Sequence, residues 1–364
     1  MSDINVIARR VDAMKHRAVE RDAQMANVLS VRQGRMFDIY PDLFPEGMPH
    51  AMVANFVDVA ARDLAEVLAP LPSINCSTTN VTSDRARGFA DKRSMVANNY
   101  VYHSRLQTQM YPGSDQYFSY GFLPLHVEPD WDNDLPRIRV EDPTGVYYER
   151  DRFGRLVAYA KRYVKSVGEL TNEFPEHSSA ILGQFGYDQN LNAELEVIRY
   201  MDKNFITLYV PSRKNLVLST ARNPMGKMTV VIAERPSIDG KPRGQFDDVI
   251  FVQLARARFA NLAMEAAEKS IQAPLVVPDD VLDMPMGPDA IIRTSQPNGV
   301  GRVRLDIPAA TFQEQSALQS ELRLGARYPE GRTGNIDASV ITGQGVQALL
   351  GAFDSQIKAG QTVL

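Results

Sequence analysis

The chain has 364 residues, of which 44% are hydrophobic and 23% charged, proportions of a globular protein large enough for two or three domains. Its formal net charge of -4 argues against tight binding of nucleic acid through phosphate neutralisation, which needs a strongly basic patch. A single cysteine, Cys76, rules out an intramolecular disulfide and a cysteine zinc site, and no apolar run approaches the ~20 residues of a membrane span.

The first residues lack the apolar region of a signal peptide, so assembly in the cytoplasm is expected. Ile4 to about Val31 alternates apolar and charged residues at helical spacing and predicts an amphipathic helix. After an irregular bridge marked by Pro41, Pro45 and Pro49, a second helix is expected over Met52–Leu68, stopped by Pro70 and Pro72. A third is expected over Ser83–Gln109, capped by Ser83 or Asp84, with Phe89, Met95, Val96, Tyr100 and Val101 facing inward.

From Tyr117 the period changes to two. Strands are expected at Tyr117–Val127, Arg137–Val140, Val146–Glu149, Val157–Val164, Glu194–Asp202, Asn204–Val210, Leu216–Thr220 and Met228–Ala233. Asp151–Gly154 reads as a hairpin turn, and Ser166 with Glu169 three residues on as a capping box opening a short helix. The class is therefore α+β, with one mixed or antiparallel sheet and helices packed on it.

Gly244–Gln272 then reads as one long helix, with Asp247 and Asp248 at its electropositive N-terminus. Phe246, Ile250, Ala257 and Met264 fall on one broad apolar face, and Phe259 and Ala263 on another. Only a narrow stripe near Asp247, Arg258, Glu265 and Lys269 is polar. Such a helix must be buried between neighbours, in a large core or between copies of the chain. Extended, Pro-punctuated segments follow, then a helix over Thr311–Leu324, a Gly-rich loop and a last helical run over Gly345–Lys358. Leu275, Val276 and Val277, Ile291 and Ile292, and Val303 to Leu305 form short β-prone pieces between prolines, suited to pairing with a neighbouring subunit.

Several motifs fail on context. Gly343, Gly345 and Ala348 fit a dinucleotide fingerprint in spacing, but too little chain follows for a second parallel strand. Asp130, Asp132, Asp134 and Glu141 match calcium-loop positions, yet Leu135 stands where the sharp turn needs Gly, so a surface turn is the better reading. Gly226 and Lys227 end no phosphate loop, because Ala221 and Met228 replace the required Gly and Ser or Thr. The Asn223–Gly226 stretch reads as a turn before a strand. The five histidines lack metal-ligand spacing, and no hydrolase or kinase signature is present. No metal, no cofactor and no catalytic activity are expected.

Taken together, the stretches VANFVDVAARDLAEVLAPLP, RIRVEDPTGVYYERDRFGRLVAYAKRYV, NPMGKMTVVIAERP, GQFDDVIFVQLARARFANLAMEAAEKSIQAPLVVP and LRLGARYPEGRTGNIDASVITGQGVQALLGAFDSQIK resemble, in order and spacing, the portal proteins of tailed double-stranded-DNA bacteriophages, those of actinobacterial phages above all. The resemblance spans nearly the whole chain. It implies a homo-oligomeric ring, usually of twelve subunits, at one vertex of the virion capsid, assembled in the host cytoplasm. DNA passes through such a ring during packaging and ejection. Terminase, head-tail adaptor and major capsid proteins dock on it, and no membrane is involved.

On this resemblance residues 1–243 are the wing, 244–272 the first stem helix, 273–308 the clip, 309–327 the second stem helix, and 328–364 the tunnel loop with the helix behind it. Within the tunnel loop Arg332, Thr333 and Asn335, set among Gly331, Gly334 and Gly343, are the expected DNA-facing donors. Relatives commonly continue into a helical crown, which is absent or truncated here. Two other readings compete: a different structural phage protein, such as a head-tail adaptor or minor capsid protein, and an oligomeric enzyme whose site carries no recognised motif.

Overall fold

The computed structural model describes residues 3–43, 53–71, 74–80, 82–182, 191–237, 240–271, 275–276, 301–302 and 309–327. It is an α+β structure in which the described residues form two compact units. Of the described residues, the first takes in those up to Leu29 and Val59–Asp247, and the second Ser30–Asp58 and those within Asp248–Gly334.

The first unit is built on two antiparallel sheets, where the sequence pattern alone suggested one. Strands β1 (Phe122–Asp130), β2 (Leu135–Val140) and β8 (Val230–Glu234) form a three-stranded sheet in the order β2-β1-β8. Strands β3 (Val146–Arg150), β4 (Leu156–Ser166), β5 (Glu194–Met201), β6 (Phe205–Val210) and β7 (Leu216–Arg222) form a five-stranded meander in sequence order. Helix α1 (Ile4–Arg32) lays Ile7, Val11, Met14 and Ala18 on one face of the meander, against Tyr147, Ala158, Ala160, Ile198, Tyr200 and Tyr209. Because side chains alternate across a strand, Tyr159 and Met201 point to the opposite face. There they meet Phe122 and Val230 of the smaller sheet. Further along that face Val197 packs with Val167 and Leu170 of α5 (Val167–Glu173) and Ile181 of α6 (Ser178–Leu182). The expected capping box opens α5: Ser166 Oγ accepts from the Glu169 N–H at 3.2 Å, and Glu169 Oε2 accepts from the Ser166 N–H at 2.9 Å.

Helix α2 (Phe56–Leu68) begins four residues after the expected start. Instead of one helix over Ser83–Gln109 there are two, α3 (Asp84–His103) and α4 (Leu106–Tyr120), broken at Arg105, whose backbone is left-handed at φ 49°. Ser83 caps α3 through its side chain, as expected. The inward face of α3 differs in part from expectation: Ala90 is buried and Ser94, Tyr100 and Val101 are half-buried, while Phe89, Met95 and Val96 are exposed. Small residues allow the close seat, with Ser94 Oγ accepting from the Cys76 N–H at 2.7 Å and Asn98 donating to the Ile74 carbonyl at 3.0 Å. The stretch Tyr117–Tyr120, expected as strand, is the last turn of α4, with Tyr117 and Phe118 buried.

Two side chains at the α3–α4 corner also close the outer edge of β2. Ser104 Oγ accepts from the Ile138 N–H at 2.8 Å and Gln109 Oε1 from the Val140 N–H at 2.9 Å.

Helix α4 ends at Gly121, which takes φ 80° and donates to the Tyr117 carbonyl at 2.8 Å, a left-handed cap that glycine adopts without strain. The backbone around Gly244 lies against this end, with the Gln245 N–H donating to the Phe118 carbonyl at 2.7 Å. This docking displaces the start of the long helix. Asp247 uses its carboxylate on the Gly244 N–H at 2.9 Å, and α7 runs from Ile250 to Ile271, not from Gly244.

In the second unit α7 packs along α8 (Ala309–Gly325). Buried residues recur at Ile250, Gln253, Leu254, Ala257, Ala260 and Asn261, a stripe at helical spacing. Gly325 permits close approach: a Cβ there would lie 2.3 Å from a Val249 methyl. Arg32 reaches Asp58 with two nitrogens, at 3.1 and 3.0 Å.

Two glycines separate steric from conformational cost. A Cβ on Gly121 would lie 2.3 Å from the Arg243 carbonyl oxygen, whereas Gly154, also left-handed at φ 77°, has nothing within 4 Å. Gly121→Ala is expected to lower unfolding stability by roughly 2–4 kcal/mol and Gly154→Ala by about 1 kcal/mol. Urea denaturation compares them, and equal losses would contradict the close backbone contact.

Candidate functional site

The most concentrated chemistry in the described residues lies between the two sheets of the first unit. His126 and Glu128 alternate along β1, Arg139 on β2 and Glu141 just beyond it follow the same period, and Arg199 projects from β5. Antiparallel pairing sets His126 opposite Arg139, so one face of the small sheet turns four ionisable groups toward the meander. Tyr159 and Tyr163 of β4 complete the cluster.

The carboxylates sit at its centre. Glu128 Oε1 accepts from Arg199 Nη1 at 3.0 Å and Arg139 Nη2 at 3.2 Å. Glu141, almost fully buried, accepts from Arg139 Nη2 at 2.9 Å, from Arg199 Nη2 and from the Tyr159 hydroxyl. Arg199 also stacks over the Tyr163 ring, 5.6 Å from its centroid.

His126 is buried and its two nitrogens are differently engaged. Nε2 lies 3.0 Å from Thr229 Oγ1, whose hydroxyl donates to Met201 Sδ at 3.3 Å, so the Thr229 oxygen accepts from Nε2–H. Nδ1 faces Glu128 Oε1 at 2.9 Å and Glu141 Oε1 at 3.5 Å. Arg199 Nη2 lies 3.2 Å from the same Nδ1, a contact only a neutral ring would welcome, but two carboxylates outweigh one guanidinium. The surroundings therefore favour a ring that donates from both nitrogens, the protonated form.

Electrostatics agree with this geometry. Burial opposes protonation of His126, but the hydrogen bonds to Glu128 and Glu141 prevail and raise its pKa above 6.5. The hydrogen bond from His126, with Arg139 and Arg199 nearby, holds Glu128 down at about 2. Burial works against ionisation of Glu141, yet His126, Arg199 and Tyr159 together depress its pKa further still. Desolvation raises Tyr159 well above the usual phenol value.

The Nδ1 of His126 and one oxygen each of Glu128 and Glu141 lie within 4.8 Å of one another, spacing that a divalent ion could bridge. The residues do not fit such an ion, because the carboxylate oxygens already carry two guanidinium groups and Nδ1 carries a proton. The cluster is an internal salt-bridge network. Beside it a groove of about 430 Å³ is lined by Lys161, Arg162 and Tyr163, and its lysine is engaged as well. The Lys161 ammonium donates to the carbonyls of Asp142 and Thr144 at 2.5 and 2.7 Å, with its pKa lowered by burial.

None of these residues was singled out as a site from sequence, apart from Glu141 in the discarded calcium loop. Their i, i+2 spacing on amphipathic strands was the available signal. That loop is a surface hairpin turn, as expected: Asp130 Oδ1 accepts from the Asp132 and Asn133 N–H groups. Asn223–Gly226 is likewise a turn, organised by Asn223 Oδ1, which accepts from the Met225 N–H at 3.1 Å.

The expected assembly residues are placed as follows. Phe246, Ile250 and Ala257 are buried within the chain itself, Phe259 and Ala263 are half-buried, and Met264 is exposed. Leu275 and Val276 form β9, paired antiparallel with β10 (Gly301–Arg302) of the same chain. Val277, Ile291, Ile292, Val303, Leu305, Arg332, Thr333 and Asn335 lie outside the described residues, as does the helical run Gly345–Lys358. Among the described residues no helix is long and apolar enough to cross a membrane. No protein-family model matches the chain, and no curated protein matches it.

The cluster predicts a specific pH dependence. Both glutamates have folded pKa values below the ordinary 4.5, so their contribution is full above 4.5 and is lost as pH falls through the folded values, about 2 for Glu128. His126, with a raised pKa, contributes fully below 6.5 and loses that contribution as pH rises through its folded value. Glu141→Gln is expected to cost roughly 1–3 kcal/mol at neutral pH, since it removes the more buried of the two carboxylates that the three cations share. It should also flatten the acid limb below pH 4.5. Urea denaturation at stepped pH measures both, and an unchanged acid limb would remove Glu141 from the network.

Proposed function

We infer that this chain is a portal-type subunit, a non-enzymatic ring component that forms a channel for double-stranded DNA at a capsid vertex and docks terminase and head-tail connector proteins. Support comes first from the order of sequence features, which resembles portal proteins along nearly the whole chain. The observation that carries the reading is the uneven burial of α7. One stripe of the helix is packed, while Phe251, Leu262 and Met264 remain 56, 40 and 50% exposed.

Apolar surface on a long helix that the described residues leave uncovered favours association with further copies. In a closed ring each subunit meets two neighbours through different patches, which is the demand such a helix satisfies. On this reading α7 and α8 are the two stem helices, the segment carrying β9 and β10 is the clip, and Arg332, Thr333 and Asn335 line the tunnel. A chain with net charge -4 suits a channel that must let DNA slide without holding it.

Electron microscopy of the purified protein tests the reading directly. Rings with an axial opening are expected. Leu262→Glu combined with Met264→Glu should place charges in the subunit contact and leave monomers of unchanged far-ultraviolet circular dichroism, because neither residue is buried within the chain. Light scattering that shows a wild-type monomer at every concentration, or intact rings of the double variant, would overturn the assignment of α7 to the interface.

A further inference from the structure

A second groove, of about 690 Å³, lies between the α3–α4 corner and the hairpin joining β1 to β2. It is within the size range of small-molecule sites. Its lining includes His103, Arg105 and Thr108 from the corner and Asp130, Asn133 and Arg137 from the hairpin. Unlike the cations of the inter-sheet cluster, these arginines are not committed. Neither the Arg105 nor the Arg137 guanidinium has a hydrogen bond or ion pair among the described residues.

The carboxylate facing them is engaged elsewhere. Asp130 accepts at Oδ1 from the N–H groups of Asp132 and Asn133, at 3.2 and 3.3 Å, and at Oδ2 from Asn133 Nδ2 at 3.0 Å. It is turned into its own hairpin, and Arg137 acts on it only at longer range. The lining of the groove thus carries an excess of positive charge, and guanidinium groups are forked donors that suit a tetrahedral or planar oxyanion. Next in sequence to lining residues stand two exposed aromatic rings, Tyr102 at 80% and Trp131 at 73%. Such rings offer flat faces to a planar group.

We propose that this groove binds a phosphate ester of about nucleotide size, with Arg105 and Arg137 holding the phosphate oxygens. The inference stands apart from the portal reading, since it rests on a groove within one chain and needs no ring.

Trp131 is the chain's one tryptophan, so its fluorescence reports on the hairpin directly. The experiment titrates the full chain with pyrophosphate and with adenosine diphosphate, following fluorescence and, in parallel, heat. Saturable binding of both is expected, weakened several-fold between 50 and 200 mM salt. Tighter binding of the diphosphate nucleotide adds a role for the aromatic rings; equal affinity supports recognition of phosphate alone.

Arg137→Gln should weaken binding at least tenfold. Arg105→Gly should do the same without lowering the melting temperature, because glycine adopts the left-handed φ of 49° more easily than arginine. The double variant Arg152→Gln and Arg155→Gln, on a distant exposed turn, removes two charges and should leave affinity within about twofold. Failure of wild type to saturate with either probe, unchanged affinity in the Arg105 and Arg137 variants, or equal weakening in the distant double variant would each overturn the proposal.

Discussion

Drawing five ionisable side chains together between two sheets, two of them almost fully buried, is the constraint from which the rest of the first unit follows. Removing an ion from solvent carries a penalty of several kcal/mol, recovered only where its lone pairs and protons are met with good geometry. Here His126, Arg139 and Arg199 face Glu128 and Glu141 within hydrogen-bonding distance. That requirement fixes which strands can lie opposite each other. A one-residue slip of β2 against β1 would turn Arg139 and Glu141 toward α4 and put Val140 among the charges. Apolar packing alone tolerates small displacements, but an ion network does not.

The local part of this structure was legible in the sequence. The apolar spacing of Ile7, Val11 and Met14, the Ser166–Glu169 box and the Asp151–Gly154 turn each encode their element within a few residues. The misread parts depend on contacts distant in sequence. The change to a period of two from Tyr117 read as the start of a strand, although Tyr117 and Phe118 are drawn into the core from a helical turn. Gly244 read as a helix start because nothing nearby in sequence reveals that its backbone docks against Ser119. The charged cluster was hidden for the same reason. Each strand shows only an ordinary pair of polar residues two apart, and the register that assembles them is a tertiary fact.

The buried stripe of α7 carries a related lesson. Its periodicity announced a helix with more apolar surface than one face can use, but not that Gln253 and Asn261 would be buried within the stripe. Polar side chains in such a seam limit the number of ways two helices can fit together, because each must find a partner or lose hydrogen bonding. They favour one register over many of similar apolar content. Arg256 near the same seam has its pKa lowered by burial and by nearby Arg323, which adds a repulsive contribution to the selection.

The side chains of Ser104 and Gln109 on the outer N–H groups of β2 bear on how the protein keeps company with itself at high concentration. An exposed strand edge is a template, and a sheet with two open edges can lengthen without limit as copies add on either side. On the β2 side of the three-stranded sheet two of the outward N–H groups are met from within the chain. A copy approaching β2 meets N–H groups already taken, so this side of the small sheet is a poor template for strand addition.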